Sequence, residues 1–468
     1  MELSGSRPAT IDEILHPRSV AVIGVPRELK TGKLFLIALL DQKFPGRIYP
    51  VNPSASEIDG IKAYPGVSDI PGPVDLAVVL VPGRDCLEVV RECARKGVKG
   101  VILFTAGYKE LGTVEGSRLE EELVQTALAS GMRLIGPNCM GIYAPKSGLS
   151  FSPGLSRTPG HVGIVSNSGS IANILCRIGP SRGLFFSTAV SLGNECDLSS
   201  ADFIAWLADD PDTDVIGVYL ETVNDGPRLF ETIRTASLKK PVVLWKTGLT
   251  PEGRGAASSH TGAMGGFAPL WHGIEKQATV VPVTGFEAWV DTLVGFSLIP
   301  SNNGKRAAVI SGPGGLAVSA AEACGREGLA LAEMSQETTR LLKTVMPPMG
   351  TSIRNPVDVG MNAFLEMNIY TEASRAVAAD PGVDAVFIIG TGINEESNRR
   401  FVESLIEARD EFKKPFIMTG IPGFDPGLIQ MFVEAGFPCF ESAERAIAVY
   451  ARAVRYLSRR DGLLKSRS

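Results

Sequence analysis

His260 is the residue in this 468-residue sequence whose surroundings most favour covalent chemistry. It lies in RGAASSHTGAMGG, a run of small residues that follows the apolar segment PVVLWKTG at 241–248. Glycines make such a run conformationally permissive, and α/β proteins place reactive groups on loops at the carboxyl ends of parallel strands. We therefore predict a loop that presents His260 as a nucleophile. Local sequence leaves one alternative open, a surface loop that merely contains a histidine.

Phosphate carried on an imidazole needs a site for the anion, which helix N-termini supply through main-chain N–H groups and a partial positive charge. Two stretches, SNSGS at 166–170 and SGPGG at 311–315, follow apolar strands and open predicted helices. Ordinary strand-to-helix turns use the same residue types, so that interpretation stays open. The predicted phosphate-binding residues are Ser166, Asn167, Ser168, Gly169, Ser170, Gly312, Gly314 and Gly315.

Glu221 directly follows the apolar run DVIGVYL at 214–220. A carboxylate there could accept a hydrogen bond from one imidazole nitrogen and leave the other free as nucleophile. The alternative is a helix-capping or turn role. The remaining histidines, His16, His161 and His272, are predicted to be structural or solvated.

The elements that would position these residues alternate between short apolar strands and amphipathic helices, which is typical of α/β folds. Pro/Gly/Ser-rich connections at 145–160 and 299–305 divide the chain into predicted domains at 1–148, 149–300 and 301–468. The first is predicted to be Rossmann-like. The other two echo one another and are predicted to be duplicated flavodoxin-like modules.

The first predicted domain lacks a dinucleotide fingerprint, because the residues after its first strand read GVPREL rather than GxGxxG. NAD binding, and with it an oxidoreductase, is therefore disfavoured. Short motifs nevertheless follow the carboxyl ends of its strands, where a crevice could bind another nucleotide-like ligand, although simple turns would also explain them. These motifs are VNP at 51–53, VP at 81–82, FTAG at 104–107 and GPNC at 136–139.

Composition argues against several other classes of protein. The net charge of -5 and the absence of a sustained Lys/Arg stripe disfavour a nucleic-acid surface. The 7 cysteines show no CxxC pairing, so we expect neither a zinc site nor disulfides, and a cytoplasmic location. The apolar run at 34–40 is too short to span a bilayer, and the N-terminus does not have a signal-peptide pattern.

Taken together, the motifs resemble those of the NDP-forming acyl-CoA synthetases, relatives of succinyl-CoA synthetase that include the ADP-forming acetate–CoA ligases. The resemblance runs from about residue 14 to 456. Two departures stand out: Gly24-Val25-Pro26 stands where many relatives read GAS, and SNSGS replaces a more usual SQSG. The motifs that carry the resemblance are IYPVNP, VDLAVVLVP, GYKE, LIGPNCMGI, VSNSGSI, SSHTGAMGG and NPVDVG.

The resemblance implies a CoA-binding domain followed by two succinyl-CoA-ligase-like domains. It makes His260 the phosphorylated histidine, Glu221 its partner carboxylate, and the two small-residue turns the phosphate-binding helix starts. It implies a CoA crevice formed by Gly24, Pro53, Val81, Pro82, Thr105, Asn138 and Cys139.

The resemblance also implies a partner, because no stretch of this sequence remains to build the family's ATP-grasp module. We expect a separate ATP-grasp β subunit in a heterotetramer, with Mg²⁺ and ADP/ATP or GDP/GTP bound on that subunit. The expected substrates on this chain are acyl-CoA and phosphate. The alternative function is a non-catalytic CoA sensor or scaffold that retains the fold.

Overall fold

A computed structural model describes residues 7–261, 268–302, 304–392, 394–424 and 426–466. For residues 258–261 it describes the main chain only. These residues divide into two compact units, one of Met1–Pro180 with Phe185–Thr284, the other of Ser181–Leu184 with Gly285–Ser468.

The first unit begins with a five-stranded parallel sheet in the order β2-β1-β5-β6-β7. Its strands are almost wholly buried, as expected for parallel strands covered by helices on both faces. A small antiparallel pair, β3 and β4, stands apart from it. The strands are β1 Ser19–Ile23, β2 Arg47–Val51, β3 Glu57–Ile58, β4 Ile61–Lys62, β5 Leu76–Val79, β6 Gly100–Leu103 and β7 Arg133–Ile135, and the helices are α1 Ile11–Leu15, α2 Thr31–Asp41, α3 Gly83–Lys96 and α4 Val114–Ser130.

A second sheet in the same unit has the order β13-β12-β11-β9-β10-β8. Among its described strands, β8 alone runs antiparallel to its neighbour. Apart from β8, the strands follow the 2-1-3-4-5 order of flavodoxin-like folds. The strands are β8 Gly141–Tyr143, β9 Val162–Ser166, β10 Phe186–Ser191, β11 Val215–Leu220, β12 Val242–Lys246 and β13 Val281–Pro282, and the helices are α5 Gly169–Ile178, α6 Ser200–Asp209, α7 Gly226–Lys239, α8 Pro251–Thr261 and α9 Ala268–Gln277.

The second unit contains a third parallel sheet, ordered β15-β14-β17-β18-β19, with β16 pairing to β14. This repeats the 2-1-3-4-5 order, which supports the predicted duplication. The strands are β14 Arg306–Ser311, β15 Ala330–Leu331, β16 Val357–Asp358, β17 Ala385–Ile389, β18 Phe416–Thr419 and β19 Cys439–Phe440, and the helices are α10 Phe286–Leu298, α11 Gly314–Glu327, α12 Gln336–Val345, α13 Met367–Ala379, α14 Glu395–Phe412, α15 Gly427–Glu434 and α16 Ala443–Lys465.

The predicted α/β fold, Rossmann-like and then flavodoxin-like, is confirmed. The boundaries between the three predicted domains remain a prediction. Strand β8, from the predicted first domain, pairs with β10 of the second sheet. Helix α10, from the predicted second domain, packs against α16 of the second unit, where Arg445 Nη2 bonds Glu287 Oε2 at 2.8 Å. Among the described residues, no helix is long and apolar enough to cross a membrane.

Candidate functional site

The carboxyl edge of the first sheet is a crevice whose connecting segments are bonded to one another. Gly24 follows β1 with φ of +87°, and a Cβ there would lie 2.9 Å from Val81 Cγ1, so the site requires glycine. Thr105 Oγ1 donates to Val81 O at 2.6 Å, and Asn138 N donates to Thr105 O at 3.1 Å. The strand order reverses beside β1, which is where open α/β sheets bind ligands. Along this edge lie the predicted CoA-crevice residues Gly24, Pro53, Val81, Pro82, Thr105, Asn138 and Cys139.

The SNSGS turn joins β9 to α5 and presents the start of that helix. Ser166 Oγ donates to Ser168 O at 2.8 Å and accepts from Ser168 N at 3.1 Å, which closes the turn. Ser168 is the N-cap, and its Oγ accepts from Ile171 N at 3.4 Å. The main-chain N–H groups of Gly169 and Ser170 belong to the first turn, where intrahelical partners do not exist. These groups can donate to an anion.

A cavity of about 320 Å³ brings part of the crevice together with the α5 turn and Glu221. It unites seven predicted residues: Asn138, Cys139, Asn167, Ser168, Gly169, Ser170 and Glu221. The side chain of Ser166 is fully buried beneath the turn. The other predicted CoA residues lie farther along the crevice, outside this lining: Gly24, Pro53, Val81, Pro82 and Thr105.

The described lining of this cavity contains no lysine or arginine. Within this lining, the N-terminal end of α5 attracts an anion, a contribution of roughly 0.3–1 kcal/mol for an exposed helix end. Cys139 also lines the cavity, but burial raises the pKa of its thiol to about 12, so it stays protonated at neutral pH.

Glu221 is held at the end of β11 by contacts to both side chain and main chain. Its Oε1 accepts from Tyr219 Oη at 3.1 Å, and burial raises the pKa of that phenol to about 12, so the phenol remains a donor. Lys246 Nζ donates to Glu221 O at 2.7 Å and lies 5.4 Å from the centre of the Trp271 ring. Burial lowers the pKa of Lys246 to about 8, and the charge of Glu221 acts in the opposite direction.

The prediction that His260 lies in a loop is wrong, because its main chain belongs to α8. Thr250 starts this helix by accepting from Gly253 N at 3.0 Å, Pro251 suits the first helical position, and the alanines that follow are good helix formers. The remainder of the predicted loop, 262–267, is outside the described residues.

Helix α8 lies close to Glu221. A Cβ placed on Gly248, which follows β12, would be 3.4 Å from both Ala257 Cβ and Glu221 O. Residue 260 follows Ala257 by three positions, about one helical turn. The same helix lies next to a short 3-10 turn, Lys109–Leu111, that follows the first-sheet crevice. The main chain of His260 therefore belongs to a helix beside the candidate site.

The SGPGG turn lies in the second unit and repeats the geometry of the first. Ser311 Oγ donates to Pro313 O at 2.9 Å, as Ser166 does to Ser168, and α11 begins at Gly314. A Cβ on Gly312 would lie 2.6 Å from Tyr370 Oη, and one on Gly314 would lie 2.9 Å from Asp358 Oδ2, whereas Gly315 has open space. Both predicted turns therefore open helices, one in each unit.

The sequence prediction missed the loop after β10, which contributes Gly193 and Asn194 to the cavity. Gly193 N donates to Asn167 O at 3.1 Å, and Asn194 N donates to Pro137 O at 3.0 Å. The loop thereby joins the first-sheet edge to the SNSGS turn. Its position after the carboxyl end of a parallel strand, the rule used for the other motifs, could have revealed it.

Replacing Gly193 with alanine is expected to destabilise the first unit by about 2–4 kcal/mol. Gly193 has φ of +56°, and an added Cβ would overlap the carbonyl oxygens of Pro137 and Asn138. The measurement is the thermal unfolding midpoint, with Gly226→Ala as matched control because a Cβ at Gly226 meets nothing within 4 Å. Equal midpoints for the two variants would contradict the close approach of residue 193 to the carbonyl oxygens of Pro137 and Asn138.

Among the described residues, no group of three or more His, Cys, Asp or Glu side chains is arranged to hold a metal ion. The predicted Mg²⁺ was assigned to a partner subunit, and its site there stays a prediction.

Comparison with known proteins gives consistent matches. A sequence profile described as "CoA binding domain" matches residues 18–145, and one described as "Succinyl-CoA ligase like flavodoxin domain" matches residues 159–296. The chain is 33% identical to the acetate–CoA ligase [ADP-forming] II subunit alpha of Pyrococcus furiosus, over 94% of this chain and 97% of that protein. It is 34% identical to acetate–CoA ligase [ADP-forming] I of Archaeoglobus fulgidus, over 89% of this chain but only 62% of that protein.

A solved structure also matches nearly the whole chain. It is the dinucleotide forming acetyl-coenzyme A synthetase 1 of Ca. Korarchaeum cryptofilum, in complex with phosphate and ADP, with a TM-score of 0.86 and 30% identity. The match covers 97% of this chain and 98% of that one.

Proposed function

The chain belongs to the family of NDP-forming acyl-CoA synthetases that includes the ADP-forming acetate–CoA ligases, and we propose that it is the CoA-binding subunit that forms phosphohistidine at His260. The enzymes of this family are acid–thiol ligases. The proposed reaction interconverts acyl-CoA, phosphate and NDP with a carboxylic acid, CoA and NTP.

One observation carries the proposal. A single cavity is lined by the end of the first-sheet crevice at Asn138 and Cys139, by the start of α5 at Ser168–Ser170, and by Glu221. A thioester lying in the crevice could therefore meet a phosphate held by main-chain donors. Helix α8, which bears His260, lies beside Glu221.

In the first proposed step, a phosphate oxygen attacks the thioester carbonyl carbon. The carbon–sulfur bond breaks, and CoA leaves as the thiolate and takes up a proton. The first-turn N–H groups of α5 hold the phosphate in position for attack, which reduces the entropic part of the barrier. The product is an acyl phosphate that remains in the cavity.

In the second step, an imidazole nitrogen of His260 attacks phosphorus, the bond to the acyl oxygen breaks, and the carboxylate leaves. The carboxylate of Glu221 accepts a hydrogen bond from the N–H of the other ring nitrogen. This bond keeps the attacking nitrogen unprotonated and stabilises the positive charge of the phosphorylated ring. A terminal oxygen of the nucleoside diphosphate then attacks phosphorus, and the phosphorus–nitrogen bond breaks to give the triphosphate. The SGPGG turn is the second proposed resting place for the phosphoryl group.

We propose that the nucleotide step takes place with a separate partner subunit. This chain spans 97% of a relative that is named as an alpha subunit and 62% of one that is not, so the longer relative contains additional chain. We propose that an ATP-grasp β subunit supplies that part in a heterotetramer, together with bound Mg²⁺ and ADP or GDP. The two boundaries between the three proposed domains, after residues 148 and 300, belong to the same proposal. A reducing cytosol suits the seven cysteines, all of which are free.

Radiolabelled phosphate tests the proposed function. The purified chain is incubated with labelled phosphate and a panel of short, branched, aromatic and dicarboxylic acyl-CoAs, with and without the candidate β subunit. We expect label on the protein with at least one acyl-CoA, and its discharge to ADP or GDP when the partner and Mg²⁺ are added. CoA binding without label under any condition would instead indicate a CoA sensor or scaffold.

A further inference from the structure

Asn167, predicted as a phosphate-binding residue, directs its side chain into the protein framework. Its Oδ1 accepts from Glu221 N at 2.8 Å and from Thr222 N at 3.3 Å, and its Nδ2 donates to Glu195 Oε1 at 2.5 Å. The residue is buried. Both ends of the amide are therefore occupied by protein groups.

The contact with Glu221 extends the sheet. The ladder between β9 and β11 has its last pair at Ser166 and Tyr219, and Asn167 N then donates to Tyr219 O at 3.1 Å. Beyond that point the main chain of Asn167 turns away into the helix start. In place of a main-chain carbonyl, the side-chain oxygen of Asn167 accepts the hydrogen bond from the N–H of Glu221. This bond holds the main chain of Glu221 in position.

Glu195 sets the orientation of this amide. Among the described residues, its carboxylate accepts hydrogen bonds from three donors: Asn167 Nδ2, Ser200 N at 3.1 Å, and Ser200 Oγ. A carboxylate facing the amide selects the NH₂ group, so the carbonyl oxygen must point the opposite way, toward Glu221. Exchanging the two ends of the amide would bring oxygen against carboxylate and leave two N–H groups without an acceptor.

The second turn provides an internal comparison. In SGPGG, the position of Asn167 is occupied by Gly312, which has no side chain, yet Ser311 closes that turn as Ser166 closes the first. The turn therefore forms without the amide. The hydrogen bonds of the Asn167 side chain are therefore not needed to form the turn.

We propose that Asn167 and Glu195 are positioning residues that hold the main chain of Glu221, so that its carboxylate is aligned for the phosphohistidine step. This inference rests on the proposed roles of His260 and Glu221. Neither residue is proposed to contact the reacting atoms.

The test exchanges the hydrogen-bonding roles of the pair. Asn167→Asp places two carboxylates in contact, and Glu195→Gln removes the charge that orients the amide. In the double variant N167D/E195Q, the amide nitrogen of the new glutamine can donate to the new aspartate, and its amide oxygen can accept from Ser200 N. The new aspartate keeps its second oxygen for Glu221 N. The net charge of the pair is unchanged.

The readout is the initial rate of protein labelling from radiolabelled phosphate and acetyl-CoA, or the fastest acyl-CoA of the panel. We expect Asn167→Asp to label about 10- to 100-fold more slowly, as for a misplaced or unsatisfied buried polar group. The same range is expected for Glu195→Gln, and the double variant should recover to within about 3-fold of wild type. The KM for acyl-CoA should stay constant, because none of the proposed CoA-crevice residues is changed.

Wild-type rates for both single variants, or a double variant slowed by the product of the single effects, would overturn the positioning role. If the single variants fail to fold, the Asn167→Gly variant tests the positioning role instead. Gly312 occupies the matching position of the SGPGG turn, which shows that a turn of this kind tolerates glycine there. It should fold and label slowly, and a wild-type rate would refute the proposal. Absence of label on the wild-type protein itself would refute the proposed function, and this inference with it.

Discussion

Replacing His260 with asparagine is expected to abolish labelling of the protein by radiolabelled phosphate, with a loss of at least about 1000-fold in rate. Asparagine has no ring nitrogen that could form a phosphorus–nitrogen bond, although it keeps a similar size and polarity. The measurement is the initial rate of labelling in the presence of an active acyl-CoA.

The matched control is His272→Asn, because His272 is exposed on α9, the helix that follows. It should label at the wild-type rate. Full labelling of His260→Asn, or an equal loss in both variants, would remove the imidazole from the mechanism.

Replacing Glu221 with glutamine is expected to slow labelling by about 100-fold or more. Glutamine has the same shape, and its oxygen can still accept from Tyr219, so the local structure should persist. Its neutral amide, however, cannot stabilise a positively charged imidazole as a carboxylate does. The rate of labelling and the thermal unfolding midpoint are measured together.

Glu231→Gln is the control for Glu221→Gln, since Glu231 lies on the exposed side of α7 and pairs at the surface with Arg234. It should leave the labelling rate unchanged. A Glu221→Gln enzyme that labels normally would reduce Glu221 to a structural residue.

Much of the fold was predictable from local patterns. The apolar runs at 19–24, 75–82 and 214–221 form parallel strands, because a buried strand of an α/β sheet must be apolar on both faces. The small-residue turns at 166–170 and 311–315 open helices as expected.

The prediction was wrong where a short segment could adopt more than one structure. The residues before His260 were interpreted as a loop because of their glycines, yet Pro251 and several alanines support the helix α8. Burial against Gly248 adds to that support, and sequence pattern alone cannot show such a contact between distant segments.

Hydrogen bonds between side chains distant in sequence could not be predicted from the sequence either. Nothing in SNSGS indicates that Asn167 bonds Glu195, which lies 28 positions away, rather than an anion. Long-range packing also determines that β8 joins the second sheet and that α10 packs against α16. Local patterns identified the turn, and the fold determined where its amide points.

Mapping the phosphoryl group on the wild-type chain is the most direct test of phosphohistidine formation at His260. The protein is treated with phosphate and an active acyl-CoA, digested at alkaline pH to preserve a phosphorus–nitrogen bond, and sequenced by tandem mass spectrometry. We expect one acid-labile phosphoryl group, on the imidazole of His260. Thioester cleavage with phosphate found on another residue, or on none, would contradict it.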